Sequence, residues 1–158
     1  MSSQPPGETV SARLSRLGYA LPEQASGKER YVPYRRDGST IHISGQLPYV
    51  DGALPAQGHL GRDVDIPQAQ ESARLAALNV LGVAASAAGG LEHVRLVQML
   101  VFVASTPDFG DQSRVADAAS SFLLKVLGEN GEHARTAIGV AALPRNSPIE
   151  IQMICTVA

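Results

Sequence analysis

Hydrophobic positions recur at helical spacing in two long stretches of the chain. In the first, from Pro67 to Ala88, small apolar residues repeat on one face and a glycine pair follows. Asp65 and Gln68 are spaced as a capping pair, and a proline fits the first turn of a helix. The second stretch ends at Gly128 and follows the i, i+3, i+4, i+7, i+8 pattern with Val115, Ala118, Ala119, Phe122, Leu123, Val126 and Leu127. Both patterns predict amphipathic helices that bury one face.

Stretches of alternating or β-branched residues predict strands. The segment from Tyr31 to Gly45, with a turn signal at Asp37-Gly38, predicts a β-hairpin. The stretch from His93 to Ser105 is almost continuously apolar, which is typical of a central strand buried on both faces. The closing segment predicts two strands, at about residues 134–142 and 149–157, around a Pro/Asn/Ser turn.

These elements follow one another in the order β-β-α-β-α-β-β. A starting hairpin and a closing pair of strands argue against an all-parallel sheet, so we expect an α+β fold with a mixed sheet and two helices packed on one face. The other face of such a sheet would be apolar, and a large exposed apolar patch is unusual on a monomer. We therefore expect subunits to associate through this face.

The N-terminal region differs in composition from the rest of the chain. Residues 1–7 contain two prolines, a glycine and small polar residues, so we expect them to be disordered. Apolar residues at i, i+4 and i+7 then predict a short helix that ends at Gly18. We expect a single domain over residues 1–158, with residues 8–29 as an N-terminal extension.

Composition and charge exclude several classes of protein. The chain has 158 residues, with 13 Lys and Arg against 15 Asp and Glu, for a net charge of −2. Without a positive field for phosphates, and with only 4% aromatic residues for base stacking, a nucleic-acid partner is not expected. The lone Cys155 allows no internal disulfide, which suits a reducing compartment. No signal-peptide pattern or membrane-spanning run is present, so we expect a cytoplasmic protein without a membrane partner.

The usual motifs for metals and nucleotides are missing from the sequence. His42, His59, His93 and His133 are isolated from one another and from acidic clusters, so we interpret them as structural or surface residues. The sequence contains no Walker loop, no dinucleotide fingerprint and no G-x-S-x-G elbow. We therefore expect neither a metal nor a cofactor.

A small polar set lies within the apolar strands: Ser44, Arg135 and Glu150. Charged residues in such strands either point to solvent or meet a partner. Arginine presents a planar fork suited to a carboxylate ligand, and a glutamate can orient or deprotonate a water. A closing hairpin centred near Arg145 would put Glu150 opposite about Ala141. Arg135 and Glu150 need not then be adjacent within one chain, and they could meet across subunits.

Two motifs resemble those of a known family. The stretch ARTAIGVAALPRNSPIEIQMICTV resembles the C-terminal signature of the RidA/YjgF family, also known as endoribonuclease L-PSP or translation initiation inhibitor. ISGQLP resembles the N-terminal motif of the same family, and the element order matches from about Arg30 onward. The extended alanine-rich helix and the HARTAIGVAALPRNSPIEI ending look most like the longer, YjgF-like branch.

This resemblance implies a chorismate-mutase-like α+β fold and a homotrimer with ligand clefts between subunits. It also implies an imine/enamine deaminase that hydrolyses 2-aminoacrylate-type intermediates to 2-keto acids and ammonia. Carried over position by position, Arg135 would grip the substrate carboxylate and Glu150 would position the attacking water. Tyr31, Ser44 and Ala137 would line the substrate-binding pocket. Such a mechanism requires neither a metal nor a cofactor, because the bound imine is itself electrophilic.

The sequence departs from the family pattern at two positions and leaves other functions open. Ala137 stands where many members have cysteine, and Ala116 lies at or near a helix position where the deaminase branch commonly has asparagine. An alternative is therefore a trimer that binds a small carboxylate without turnover. A ribonuclease or translation inhibitor has only the family label behind it, and the negative net charge speaks against it.

Overall fold

The computed structural model describes residues 7–24 and 30–158. Residues 1–6 and 25–29, on which part of the expected disordered start and of the extension falls, lie outside the described residues. The helices and strands follow the predicted order after one short N-terminal helix: α1 (Val10–Arg16), β1 (Tyr34–Asp37), β2 (Thr40–Gln46), α2 (Ile66–Ala88), β3 (Val94–Ala104), α3 (Gln112–Leu127), β4 (Ala134–Val140) and β5 (Ile149–Val157).

The ends of the long helix are set by the predicted signals. The Gln68 amide donates to Asp65 Oδ1 at 2.8 Å, and the Asp65 amide donates to Gln68 Oε1 at 3.0 Å, which completes a capping box. Gly89 ends α2 in the left-handed conformation, with φ of 78°. The prediction of α2 is confirmed to within one residue.

The predicted N-terminal helix is also confirmed, and it is held against the helical layer by charged groups. The Glu92 carboxylate accepts hydrogen bonds from the Val10 and Ser11 amides at 2.8 and 2.9 Å, so it satisfies two free donors at the start of α1. Arg13 is 7% exposed, and its Nη1 donates to the Val126 carbonyl near the end of α3 at 3.0 Å. These contacts place α1 across the end of α3.

The sheet is mixed and has the strand order β1-β2-β5-β3-β4. The predicted β1–β2 hairpin is confirmed, with Asp37 opposite Thr40. Among the five strands of the described residues, β3 and β4 are the only neighbours that run parallel. The helix α2 packs on β2 and β5, while α3 packs on β3 and β4. Both long helices therefore cover one face of the sheet, as expected for the α+β class.

In the described part of the chain, no helix has the length and apolar character needed to cross a bilayer.

The prediction that the last two strands form a hairpin is wrong. The strand β3 lies between them and pairs in parallel with β4 and in antiparallel with β5. The helix α3 acts as the crossover that a parallel pair requires. The connection after β4 bonds elsewhere: Gly58 donates to the Asn146 carbonyl at 2.8 Å, and Ala104 donates to the Pro148 carbonyl at 2.9 Å.

The expectation that the strand within His93–Ser105 is buried on both faces is wrong for the single chain. Its side chains alternate between the core under the helices and the outer face of the sheet. Val97 is 45% exposed on β3, and Ile138 on β4 is 42% exposed. The outer face of one chain is thus partly apolar and accessible.

Candidate functional site

Arg135 lies on β4 and is held by the neighbouring helix. Its Nη1 donates to Asp117 Oδ1 at 2.9 Å and to Ser120 Oγ at 3.2 Å, while Nη2 makes a longer bond of 3.4 Å to the Ser113 carbonyl. A guanidinium has five N–H groups. Two of them, one on Nε and one on Nη2, have no acceptor among the described residues. The bound guanidinium therefore keeps enough donors for a two-point contact with a carboxylate.

A hydrogen-bond chain continues from Arg135 through Ser120 to His133. Ser120 Oγ lies 3.0 Å from His133 Nε2, and His133 Nδ1 lies 2.6 Å from the Gly131 carbonyl. A carbonyl only accepts, so Nδ1 donates to it, and Nε2 is placed to accept the Ser120 hydroxyl proton. This direction leaves a lone pair of Ser120 for Arg135. These hydrogen bonds therefore hold the Arg135 guanidinium beside a cavity of about 390 Å³. The cavity is lined by Ser120, Leu124, Glu132, His133 and Arg135.

The two alanines that depart from the family pattern have different surroundings. Ala137 is half-buried, follows Arg135 on the same side of β4 and packs against the core. Ala116 is fully buried in the core, whereas the next residue, Asp117, is the one that contacts Arg135. The polar group that α3 presents to the guanidinium is therefore a carboxylate.

Glu150 lies on β5 and points to the other face of the sheet. It is half-buried, and no group in the described ranges donates a hydrogen bond to its carboxylate. Burial raises the pKa of Glu150. The backbone of Gly45 lies against this side chain, because a Cβ at Gly45 would overlap Glu150 Oε1. An unpaired, partly desolvated carboxylate is suited to accept a proton from a water.

Ser44 and Tyr31 lie at the same end of the sheet as Glu150. The Ser44 hydroxyl donates to the Val32 carbonyl at 2.7 Å, and its amide donates to the Pro33 carbonyl at 2.9 Å. These two bonds hold the segment that carries Tyr31, which is 63% exposed. Ser44 therefore anchors the backbone that follows Tyr31, and it also precedes Gly45, which lies against Glu150.

Within one chain, the structure does not bring Arg135 and Glu150 together. Arg135 is paired with Met99, whose side chain is buried under the helices, whereas Glu150 is paired with Phe102 on the outer face. We call Arg135, Asp117, Ser120 and His133 the arginine half-site, and Glu150, Gly45, Ser44 and Tyr31 the glutamate half-site. A ligand that meets both half-sites has to lie between two chains.

Sequence reasoning did not assign roles to the partners of Arg135. Asp117 and Ser120 are three residues apart on α3, so they share one face of the helix. His133 is two residues before Arg135 and is part of the hydrogen-bond chain rather than an isolated residue. The extended backbone at the start of β4 puts His133 on the same side as Arg135. The strand–helix–strand order would have placed α3 beside β4, but it does not specify which α3 side chains meet Arg135. Among the residues that the structure describes, no cluster of three His, Cys, Asp or Glu side chains is arranged to hold a metal ion.

Cys155, whose thiol could in principle act as a nucleophile, is fully buried on β5. Burial raises the pKa of its thiol to about 11. The reactive thiolate is therefore almost absent at neutral pH. Cys155 contributes to the core and not to either half-site.

Replacing Gly45 by alanine is expected to displace the Glu150 carboxylate. The new Cβ would overlap Oε1, and the flexible end of Glu150 would turn towards solvent, so its pKa should fall towards the ordinary glutamate value. Stability should change by about 1 kcal/mol or less, because only a side-chain end has to move. Carboxyl-detected NMR titration and urea unfolding measure the two effects. Gly110→Ala is the control, since nothing lies within 4 Å of its added Cβ; an unchanged pKa of Glu150 in the Gly45 variant would contradict the contact.

The fold and the half-sites define a class of small α+β proteins, and comparison with known proteins gives the family. Residues 11–157 match the family model described as "YjgF/chorismate mutase-like, putative endoribonuclease". The chain belongs to this YjgF family. It is 42% identical over 147 residues to Protein TCP17 of Trypanosoma cruzi, which covers 92% of each chain.

Solved structures agree with this assignment. The protein Atu1372 from Agrobacterium tumefaciens, whose structure is described as one of unknown function, is similar with a TM-score of 0.85 and 40% identity, over 94% of this chain and 92% of that one. The E. coli protein TdcF, solved with bound serine, is similar with a TM-score of 0.62 and 25% identity, over 84% of this chain and 91% of that one. The expected chorismate-mutase-like α+β fold is confirmed.

Proposed function

We propose that this protein is an imine/enamine deaminase that hydrolyses 2-aminoacrylate-type intermediates to 2-keto acids and ammonia. The observation that supports it most is Arg135, a guanidinium fixed by three groups of α3 with two N–H donors left for a carboxylate. That TdcF is solved with bound serine adds support, because serine is a small 2-amino acid. A cleft that holds such an acid by its carboxylate exposes the adjacent carbon to attack.

The proposed chemistry adds one water to the substrate. The enamine first takes up a proton at its terminal carbon, which gives the protonated 2-imino acid. Glu150 then takes a proton from the water as the water oxygen bonds to the carbon of the C=N group. Glu150 returns this proton to the nitrogen of the resulting carbinolamine. The C–N bond breaks and the hydroxyl proton passes to the departing ammonia, which leaves a 2-keto acid and ammonium. Since the half-sites lie on opposite faces of the sheet, we propose that the site forms between subunits of a homotrimer.

Coupling the protein to a serine or threonine dehydratase tests the activity. Keto-acid release should be faster than with the dehydratase alone, because the dehydratase product would otherwise hydrolyse in solution. An unchanged rate would contradict the deaminase.

The second candidate, binding of a small carboxylate without turnover, is supported by Ala137, which offers no polar side-chain atom beside Arg135. Stabilisation of the fold by small carboxylates that depends on Arg135, without turnover, would favour it.

Mixed assemblies test whether the site is shared between chains. Two variants, Arg135→Ala and Glu150→Gln, each disable a different half-site. Unfolding a one-to-one mixture and refolding it together should restore about a quarter of the wild-type activity, since each half-site is intact with a chance of about one half in a closed ring. The separately refolded variants, combined afterwards, are the control. Failure of the co-refolded sample to exceed this control would contradict a shared site.

A further inference from the structure

The arginine half-site contains an ion pair between Asp117 and Arg135. Asp117 Oδ1 is 2.9 Å from Arg135 Nη1, and the side chains of Asp117 and Arg135 are 64% and 22% exposed. The carboxylate thus borders solvent beside a more enclosed guanidinium. Asp117 already balances the charge of Arg135, so a carboxylate ligand adds an uncompensated negative charge to the half-site.

We infer that Asp117 is a specificity-determining residue that selects ligands carrying a positively charged nitrogen next to their carboxylate. The inference rests on the proposed function, because it assumes that Arg135 holds the ligand carboxylate. A 2-amino acid or protonated 2-imino acid brings its own positive charge, which offsets the repulsion from Asp117. A 2-keto acid of the same carbon skeleton has no such charge.

The position of the Asp117 carboxylate gives the substrate and the product different affinities for the half-site. Two anions on one guanidinium lie within roughly 6 Å of each other, a range over which unit charges still interact in water. Oδ2 of Asp117 accepts no hydrogen bond within the described ranges, so it remains available to an ammonium or iminium group. Hydrolysis converts the charged nitrogen into a neutral carbonyl and removes that contact. Asp117 therefore favours binding of the imino acid and release of the keto acid.

Alanine and pyruvate are the matched probes, because they differ at one carbon that bears either an ammonium or a carbonyl group. Isothermal titration of the assembled wild-type protein should show tighter binding of alanine. In Asp117→Asn the ratio of pyruvate Kd to alanine Kd should fall roughly fourfold or more, the effect of two unit charges about 5 Å apart in a water-like medium. Pyruvate itself should bind as well as before or better. Asp111→Asn, an exposed acid before the start of α3 without a side-chain hydrogen bond to the helix, is the charge-matched control.

Other outcomes overturn the inference. Equal weakening of both ligands in Asp117→Asn would show that Asp117 only orients Arg135. A changed ratio in Glu132→Gln but not in Asp117→Asn would assign the selection to Glu132, which lines the same cavity. No binding of either ligand to the wild type would remove both the selection and the carboxylate role of Arg135.

The binding assay also separates this inference from the proposed activity. Selection of alanine through Asp117 without any acceleration of keto-acid release would support the inference and contradict the deaminase. The opposite outcome is accelerated keto-acid release that depends on Arg135, with a ratio of pyruvate Kd to alanine Kd that does not change in Asp117→Asn. It would support the deaminase and contradict the inference.

Discussion

Replacing Arg135 by alanine is expected to lower kcat/KM for keto-acid release by about 100-fold. The variant loses the two N–H donors that remain for the substrate carboxylate, and loss of one partner of a desolvated charge pair typically costs about 2–5 kcal/mol. The loss should appear mainly in KM if the contact is equally strong in substrate and transition state. Steady-state kinetics of the coupled dehydratase reaction measure both constants.

Two further variants make the Arg135 result specific. Arg135→Lys keeps the charge but cannot offer a planar fork, so its activity should lie between the wild type and Arg135→Ala. Arg114→Ala removes an exposed arginine from the same helix layer and should leave the activity unchanged. Wild-type activity in Arg135→Ala would contradict the assignment of this residue as the carboxylate contact.

Replacing Glu150 by glutamine is expected to reduce kcat by about 100-fold or more, within the range of general-base contributions. The wild-type activity should depend on the ionised carboxylate, so kcat should fall as the pH decreases through the Glu150 pKa. Burial raises that pKa, so the loss begins at a higher pH than for an exposed glutamate. A pH profile of the glutamine variant should lack this limb, and Glu129→Gln, at an exposed position, should retain it.

The same substitution should not weaken the fold. A carboxyl whose pKa is raised on folding binds its proton more tightly in the folded state, so its ionised form lowers stability above the folded pKa. Glu150→Gln removes this cost at neutral pH, and its Tm should equal or exceed that of the wild type. The difference should disappear below about pH 4.3, where the carboxyl is protonated in both states. A lower Tm at pH 7 would indicate that Glu150 has a stabilising partner in the assembly.

The helices could be predicted from the sequence because their signals are local. The capping box of Asp65 and Gln68 and the left-handed Gly89 set the ends of α2 through groups within one turn. The buried residues of α3 follow from its apolar periodicity. Both depend on neighbours along the chain, which the sequence displays directly.

Strand pairing depends on distant residues and was predicted only in part. The β1–β2 hairpin has a two-residue turn that specifies its register, whereas the β4–β5 connection only resembled one. Arg145 and Asn146 both have positive φ there, as in a tight hairpin turn, but β4 and β5 each pair with β3 and not with each other. The parallel pairing of β3 and β4 could have been predicted from the strand–helix–strand order.

The candidate site could also be predicted only in part: its residues were visible in the sequence, but their arrangement depends on distant contacts. Arg135 and Glu150 stand out in sequence as charges in apolar strands, and the resemblance gave them roles that stay predictions. Their separation by the sheet depends on the register of β3 with both neighbours. The contact between Asp117 and Arg135 depends on how α3 lies on β4, which no local pattern specifies.

Under the proposed function, the placement of the half-sites on opposite faces of one sheet also makes catalysis depend on protein concentration. A dissociated chain still carries both half-sites, but it has no complete site. It should therefore be inactive rather than partly active. Under the proposed function, the rate per chain should decline on dilution in step with dissociation of the assembly. Mass action would then set the level of deaminase activity, and cellular abundance would act as a control on it.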